Sequence, residues 1–502
     1  MSVDKALLKK LDVLKYLNYL SFLLVVYIIF NFIYMSFELN SYEMLTVDER
    51  IAINDIYNVW ILDNEFNRYP NIDNEFLKNL VLVVTELAYG GDLRYGRLWS
   101  NLYIVLIGPF SLFFSDQIVI TLTRLLTLFI YFLSVNIFIN LLLNKKYRWT
   151  YLLIFYCLPG IYYYNTIAKP DQLVLLLLGL SIKYLKDEKY YHTIFFLALT
   201  TGVKIIGIFA LIPGIIFIFI NNKIKLNFKN VLKTIILSWA AIIVVNPILL
   251  IPPINRLGVP NFYSIYYNWL DSQTQYSQPN RYDINYFTDW SETLTMHFSM
   301  NLTNSPLFFY FLLSLMVLLF LNSLKNFDEL YSYVYVVGFL HFIFILFSIQ
   351  RQWILYLNFS LILMFLSIIY LIQKNKNITL LLAFLFIVPN GFMKLSGTFE
   401  ARNTLPTGDS YTIPLVIEEI ESSYSLVDSP NNIVYWDTEF GMPRNKVTYK
   451  SFFFVRENWA GKDLDAIFDD GDMYITKRLI EDSKYTLIEV KDFKIYVNSK
   501  SD

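Results

Sequence analysis

Apolar residues in this chain come in long blocks separated by short polar intervals, a pattern of membrane helices more than of amphipathic core stripes. The blocks fall at residues 13–35, 117–143, 150–165, 172–184, 231–251, 306–321, 332–349, 353–372 and 378–389. Crossing about 30 Å of hydrocarbon takes roughly 17–25 helical residues, and several blocks reach that length. A further stretch, 192–221, has Gly202, Lys204 and Gly207 at its middle. It predicts two short spans folded back at that break.

The block at 98–114 contains Gly108 and Pro109, and charge decides how it lies. Cytoplasmic loops carry an excess of Lys and Arg. If 98–114 lies along the surface or re-enters, the inside loops hold Lys145, Lys146 and Arg148, then Lys186 and Lys189. They also hold Lys223, Lys225 and Lys229, and finally Lys374 and Lys376. If 98–114 crossed instead, those clusters would fall opposite the basic N-terminus. The expected fold is therefore mainly α, a polytopic membrane protein of about 11 transmembrane helices with a surface helix in its first outer loop. The N-terminus is expected in the cytoplasm and the C-terminus outside. Residues 1–393 form the membrane unit, with outer loops at 37–116 and 252–305. The polar tail, 394–502, has strand-like runs at 432–436, 485–490 and 493–497 and a helix-like run at 413–424. It predicts a small extracytoplasmic α/β domain.

Composition agrees with this pattern. Of 502 residues, 56% are hydrophobic and 17% charged, against about a quarter charged in soluble domains. The net charge of −1 gives no argument for a nucleic-acid partner. One cysteine, Cys157, excludes an intramolecular disulfide. The N-terminus carries Lys5, Lys9, Lys10 and Lys15 and lacks a small-residue cleavage site, so the first block reads as a retained span.

Charge left at the outer boundary is sparse. Asp48, Glu49 and Arg50 stand in the first outer loop, at the start of a predicted helix over 49–60. Arg94 and Arg97 open the surface helix. Lys169 and Asp171 end the third span, Lys204 marks the break in 192–221, and Arg351 lies between the ninth and tenth spans. An ionised group at bilayer depth costs roughly 2.5–3.5 kcal/mol on insertion scales, so such groups normally face a cavity or a partner. Each has a plainer explanation. Asp48 and Asp171 suit helix starts, Lys204 suits snorkelling, and Arg94, Arg97 and Arg351 suit interfacial anchors. His192 and His341 read as structural and His297 as an ordinary loop residue. Three dispersed histidines and one cysteine give no soft metal site. Asp48, Glu49 and Asp171 are types that hold a hard divalent cation with a phosphate, although nothing in the sequence demands one.

The order of these segments resembles the GT-C superfamily, membrane glycosyltransferases that use polyprenyl-phosphate sugars. The matching segments are Thr46-Val47-Asp48-Glu49-Arg50, Arg94-Tyr95-Gly96-Arg97-Leu98-Trp99 and Thr123-Arg124-Leu125-Leu126. Ala168-Lys169-Pro170-Asp171 and Thr201-Gly202-Val203-Lys204 complete the set, all within residues 13–251. The nearest groups are the protein O-mannosyltransferases and aminoarabinose transferases. The resemblance implies Asp48 as catalytic base and Asp171 as a second acidic residue near the active site, with Glu49 completing the acidic pair. It also implies a polyprenyl-phosphate-linked sugar donor and a glycan, lipid or protein acceptor at the outer face of a cell inner membrane.

The chemistry suits these residue types. An acceptor hydroxyl attacks the anomeric carbon and displaces a lipid phosphate. A carboxylate within hydrogen-bond reach takes the proton, on the face opposite the leaving group, as in inverting glycosidases. The departing phosphate needs cations more than a proton, and Arg94, Arg97, Lys169, Lys204 and Arg351 are suitable types. Two alternatives stay open on the residues alone: a glycolipid flippase or transporter, and a polysaccharide polymerase. Transporters usually place charge near the midplane between matching halves, whereas here charge gathers at one interface and no halves match.

Overall fold

In the computed structural model of the protein, the residues described are 2–38, 47–60, 87, 96–143, 145–158, 167–247, 306–348, 358–375 and 388, together with strand residues 433–436, 448–451, 473–476, 486–490 and 493–497. The chain is mainly helical. The first helix, α1, runs Ser2–Glu38, and two short helices follow, α2 (Val47–Trp60) and α3 (Arg97–Leu106). Then come α4 (Asp116–Leu142), α5 (Arg148–Tyr156), α6 (Asp171–Lys186), α7 (Tyr190–Val203), α8 (Ile208–Ile220) and α9 (Phe228–Val245). The last described helices are α10 (Pro306–Lys325), α11 (Leu330–Ser348) and α12 (Asn358–Asn375).

Among the described residues, three stretches are long and apolar enough to cross a membrane: 24 residues over Lys15–Glu38, 27 over Asp116–Leu142 and 18 over Phe228–Val245. The expected eleventh block, 378–389, and the final residues of the third lie almost wholly outside the described residues.

Side-chain contacts fix the direction of each helix. Asn18 on α1 accepts from Trp149 and Thr150 at the start of α5, so these two helices run parallel. The Thr121 hydroxyl donates to the Ser36 carbonyl at 3.2 Å, which sets α4 antiparallel to α1. Tyr184 stacks on His192, making α6 and α7 an antiparallel pair. The break at Lys204 turns the chain back on itself, as the sequence predicts. A short 3-10 turn, Ile205–Gly207, follows it, and a Cβ on Gly207 would lie 2.4 Å from the backbone of Thr200. Seven residues further on, a Cβ on Gly214 would lie 2.4 Å from Leu197, so α8 descends alongside α7. Tyr333 on α11 donates to the Ala210 carbonyl on α8, and Ser367 on α12 donates to the Tyr331 carbonyl. Successive long helices therefore run up and down, with Ser36, Thr121, Asp171 and Lys204 at one end. Asn18, Lys186 and Asn221 lie at the other.

The 98–114 block does not form a span. It makes the ten-residue α3 and a 3-10 turn at Gly108–Leu112. Ten residues give about 15 Å, half the hydrocarbon thickness. Its inner face is held by the Trp60 indole, which donates to the Ile104 carbonyl at 2.7 Å. Leu106, Leu112 and Phe113 are exposed, as expected of a helix on a membrane surface.

In the tail, five strands form one sheet: β1 (Ile433–Trp436), β2 (Thr448–Ser451), β3 (Met473–Thr476), β4 (Thr486–Val490) and β5 (Phe493–Val497), in the order β2-β1-β3-β5-β4. β1 is parallel to β2 and β3, while β5 is antiparallel to β3 and β4. Three of these strands fall where the pattern predicts them; β2 and β3 were not expected. The helix-like run at 413–424 lies outside the described residues.

Candidate functional site

Among the described residues, six charged side chains from five segments meet as ion pairs at the end of the bundle capped by α2 and α3. Glu49 lies in the first turn of α2, buried to 1% exposure. Its Oε1 accepts from Arg124 Nε at 2.7 Å and its Oε2 from Arg124 Nη2 at 3.2 Å, the two-pronged grip that suits a guanidinium and a carboxylate. The same Oε1 accepts the Ala168 backbone N–H at 3.2 Å. One carboxylate thus ties α2 to α4 and to the loop before α6.

The second pair joins α2 to α3, with Arg97 Nη1 2.8 Å from Asp55 Oδ2. The third joins α6 to the α7–α8 break: Lys204 Nζ reaches both oxygens of Asp171 at 2.9 Å. All of these groups except Lys204 are buried. Between the pairs, Tyr103 shares a 2.6 Å hydrogen bond with Thr127. Burial pushes its phenol up to about 12, so it stays neutral at physiological pH.

Backbone contacts lock the same region. The Gly96 N–H donates to the Val203 carbonyl at 2.9 Å, and Asn246 Nδ2 donates to the Gly202 carbonyl at 2.9 Å. The last carbonyls of a helix have no partner within it. Here the start of α3 and the end of α9 supply those partners for α7. A side chain at position 96 would not fit, since a Cβ there would fall 2.2 Å from the Gly202 oxygen.

The expected residues are distributed as follows. Asp48 lies inside the first turn of α2, which begins at Val47 and not at Glu49 as the pattern predicts. Its side chain lies outside the described residues. Asp171 is the first residue of α6, with Pro170 at the cap position, and its carboxylate faces Lys204. Arg97 is buried against Asp55 and does not anchor at the surface. Lys169 is buried one residue after the amide that Glu49 holds. Arg94, Arg351 and His297 lie outside the described residues. His192 is exposed against Tyr184, while His341 is buried, its Nδ1 2.6 Å from the Ser360 hydroxyl.

Two partners were not anticipated, Asp55 and Arg124. Both carried a signal. Buried Glu49, Ala52, Ile53, Asp55, Ile56 and Val59 repeat with helical spacing, so the inward face of α2 contains two acids. Arg124 sits within an apolar block, where a charge calls for an opposite charge.

No protein-family model matches the chain, and no curated protein matches it. Function is therefore argued from the site. Of the three carboxylates that suit a hard cation, Glu49 already faces Arg124 and Asp171 already faces Lys204. Metal coordination by either would break a buried ion pair.

Proposed function

We propose that the protein is an inverting glycosyltransferase. In this reading it transfers a sugar from a polyprenyl-phosphate donor to an envelope glycan, lipid or protein acceptor at the outer face of a cell inner membrane. The proposal includes eleven spans, a cytoplasmic N-terminus and an extracytoplasmic α/β tail. The observation that carries it is the link through Glu49. By accepting the Ala168 amide, Glu49 brings the strand of chain bearing Lys169 beside the helical turn bearing Asp48. In this reading that link supports Asp48 as the general base and Lys169 as a cation for the donor phosphate.

The roles follow from that placement. The acceptor hydroxyl gives its proton to Asp48 as its oxygen bonds to the anomeric carbon. The bond from that carbon to the phosphate oxygen breaks, and the lipid phosphate leaves with the electron pair. Lys169 meets the growing negative charge, with Arg94, Arg97, Lys204 and Arg351 completing a cationic surround. Arg97 and Lys204 act from within their pairs with Asp55 and Asp171, which hold them rigidly. Groups fixed in advance are worth more at a transition state than groups that must reorganise. Glu49 holds Arg124 and the 167–170 loop and takes the positioning role.

Membranes carrying wild type or Asp48→Asn, given radiolabelled polyprenyl-phosphate sugars and native glycan acceptors, test this reading. Loss of a general base should slow transfer by about 10²–10⁴-fold. Equal transfer by the variant would remove Asp48 from that role. Absence of transfer by wild type with every donor would instead favour a glycolipid flippase.

A further inference from the structure

At the opposite end of the bundle, where α1 passes the start of α5, lies an open groove of about 490 Å³ that the glycosyl-transfer reading does not use. Its rim carries Lys15 and Lys146, both exposed. Its wall is aromatic: Phe22 packs edge-on against Trp149 with centroids 4.8 Å apart, and Tyr147 is buried behind Lys146. Lys146 Nζ lies 5.6 Å from the Tyr147 ring centroid, near the range of a cation–π contact. Asn18 lies in the groove as well. Its Oδ1 accepts from Trp149 and Thr150.

Two ammonium groups at one rim form a site for an anion. The adjoining surface of α1 shows what carries that anion. Tyr19, Leu20, Leu23, Tyr27 and Phe30 are exposed in a continuous run leading away from the groove along a helix apolar enough to cross a membrane. A soluble anion would have no use for that run; an acyl chain would. We propose that the groove holds the headgroup of an anionic glycerophospholipid, its phosphate between Lys15 and Lys146 and its chains along the exposed face of α1. Basic pockets between helices at a membrane interface suit this chemistry. The bound lipid would fasten the start of α1 to the α4–α5 turn, and so hold the end of the bundle away from the ion pairs.

Purified full-length protein in detergent, titrated with phosphatidylglycerol and with phosphatidylcholine and read by native mass spectrometry, tests the proposal. Wild type should retain phosphatidylglycerol in preference. A lysine near a membrane surface contributes enough that each alanine substitution should weaken anionic-lipid binding about fivefold, and Lys15→Ala with Lys146→Ala about thirtyfold. The arginine pair Lys15→Arg with Lys146→Arg should restore most of it. Lys223→Ala with Lys225→Ala, away from the groove, should leave the preference intact. Equal loss in that control pair would overturn the proposal in favour of general surface attraction. Wild type that does not distinguish the lipids, or that surrenders phosphatidylglycerol to millimolar inorganic phosphate, would overturn it as well.

Discussion

Replacing Glu49 by Gln keeps the shape of the side chain and removes the charge that the Arg124 guanidinium grips. Both partners are 1% exposed, and the arginine directs two N–H groups at the carboxylate, at 2.7 and 3.2 Å. Breaking a buried pair by neutralising one member typically costs about 3–5 kcal/mol, because the other charge stays buried without compensation. The Ala168 amide adds little to this difference, since the Gln carbonyl still accepts its hydrogen bond. Replacing both members is far milder, because no charge is then left inside. Glu49→Gln is therefore expected to lose about 3–5 kcal/mol, and Glu49→Gln with Arg124→Met to recover at least about 2 kcal/mol of it. Unfolding of wild type, both single variants and the double variant in mixed micelles, followed by tryptophan fluorescence, gives the full cycle. If Glu49→Gln falls within about 0.5 kcal/mol of wild type, or if the single losses simply add, the buried latch drawn from these distances is wrong.

Gly96→Ala places a carbon 2.2 Å from a backbone oxygen, and should abolish folded protein in fluorescence-detected size exclusion, whereas Gly338→Ala, with its nearest neighbours at 3.0 Å, should remain expressible. Lys204→Met leaves the Asp171 carboxylate buried alone and should lower the melting temperature more than Lys204→Arg, which keeps the charge. Asn18→Ala removes the acceptor for the first amides of α5 and should cost about 0.5–2 kcal/mol, the range for a lost helix cap. Tyr103 predicts an alkaline limit: its phenol is raised from 10.0 to about 12, so its contribution is complete below pH 10 and is lost as pH rises toward 12. Over that interval Tyr103→Phe should fall less steeply than wild type, by about 1.4 kcal/mol per pH unit at most.

The helices were the most legible part of the chain, because a block of apolar residues long enough to span oil is a strong local signal. The fold-back at Lys204 was legible for the same reason: two glycines and a charge interrupt the block where the chain turns. The expectation that 98–114 does not cross came from charge on distant loops, and α3 ends just before the Gly108-Pro109 step. The ion pairs were only half legible. Glu49 and Arg97 stood out, but their partners lie 75 and 42 residues away, and only the folded chain brings them together. Strands β2 and β3 escaped because four residues such as Thr-Tyr-Lys-Ser carry too little alternation to mark a strand. Their identity comes from parallel pairing with β1, which is not a local property.

The carbonyl contacts at the end of α7 also set an order of assembly. The segment holding α2 and α3 is synthesised early, yet the groups that receive it come late. Glu49 waits for Ala168, 119 residues downstream. The turn at Gly96 needs the Val203 carbonyl, and the neighbouring carbonyl is held by Asn246. At roughly 5–20 residues per second, the 150 or so residues from Gly96 to Asn246 take about 8–30 s to emerge. For that interval α2 and α3 have no seat on the bundle, and their carboxylates and arginines are best kept in water beyond the membrane. The loop that carries the proposed base is thus among the first parts made and among the last to dock.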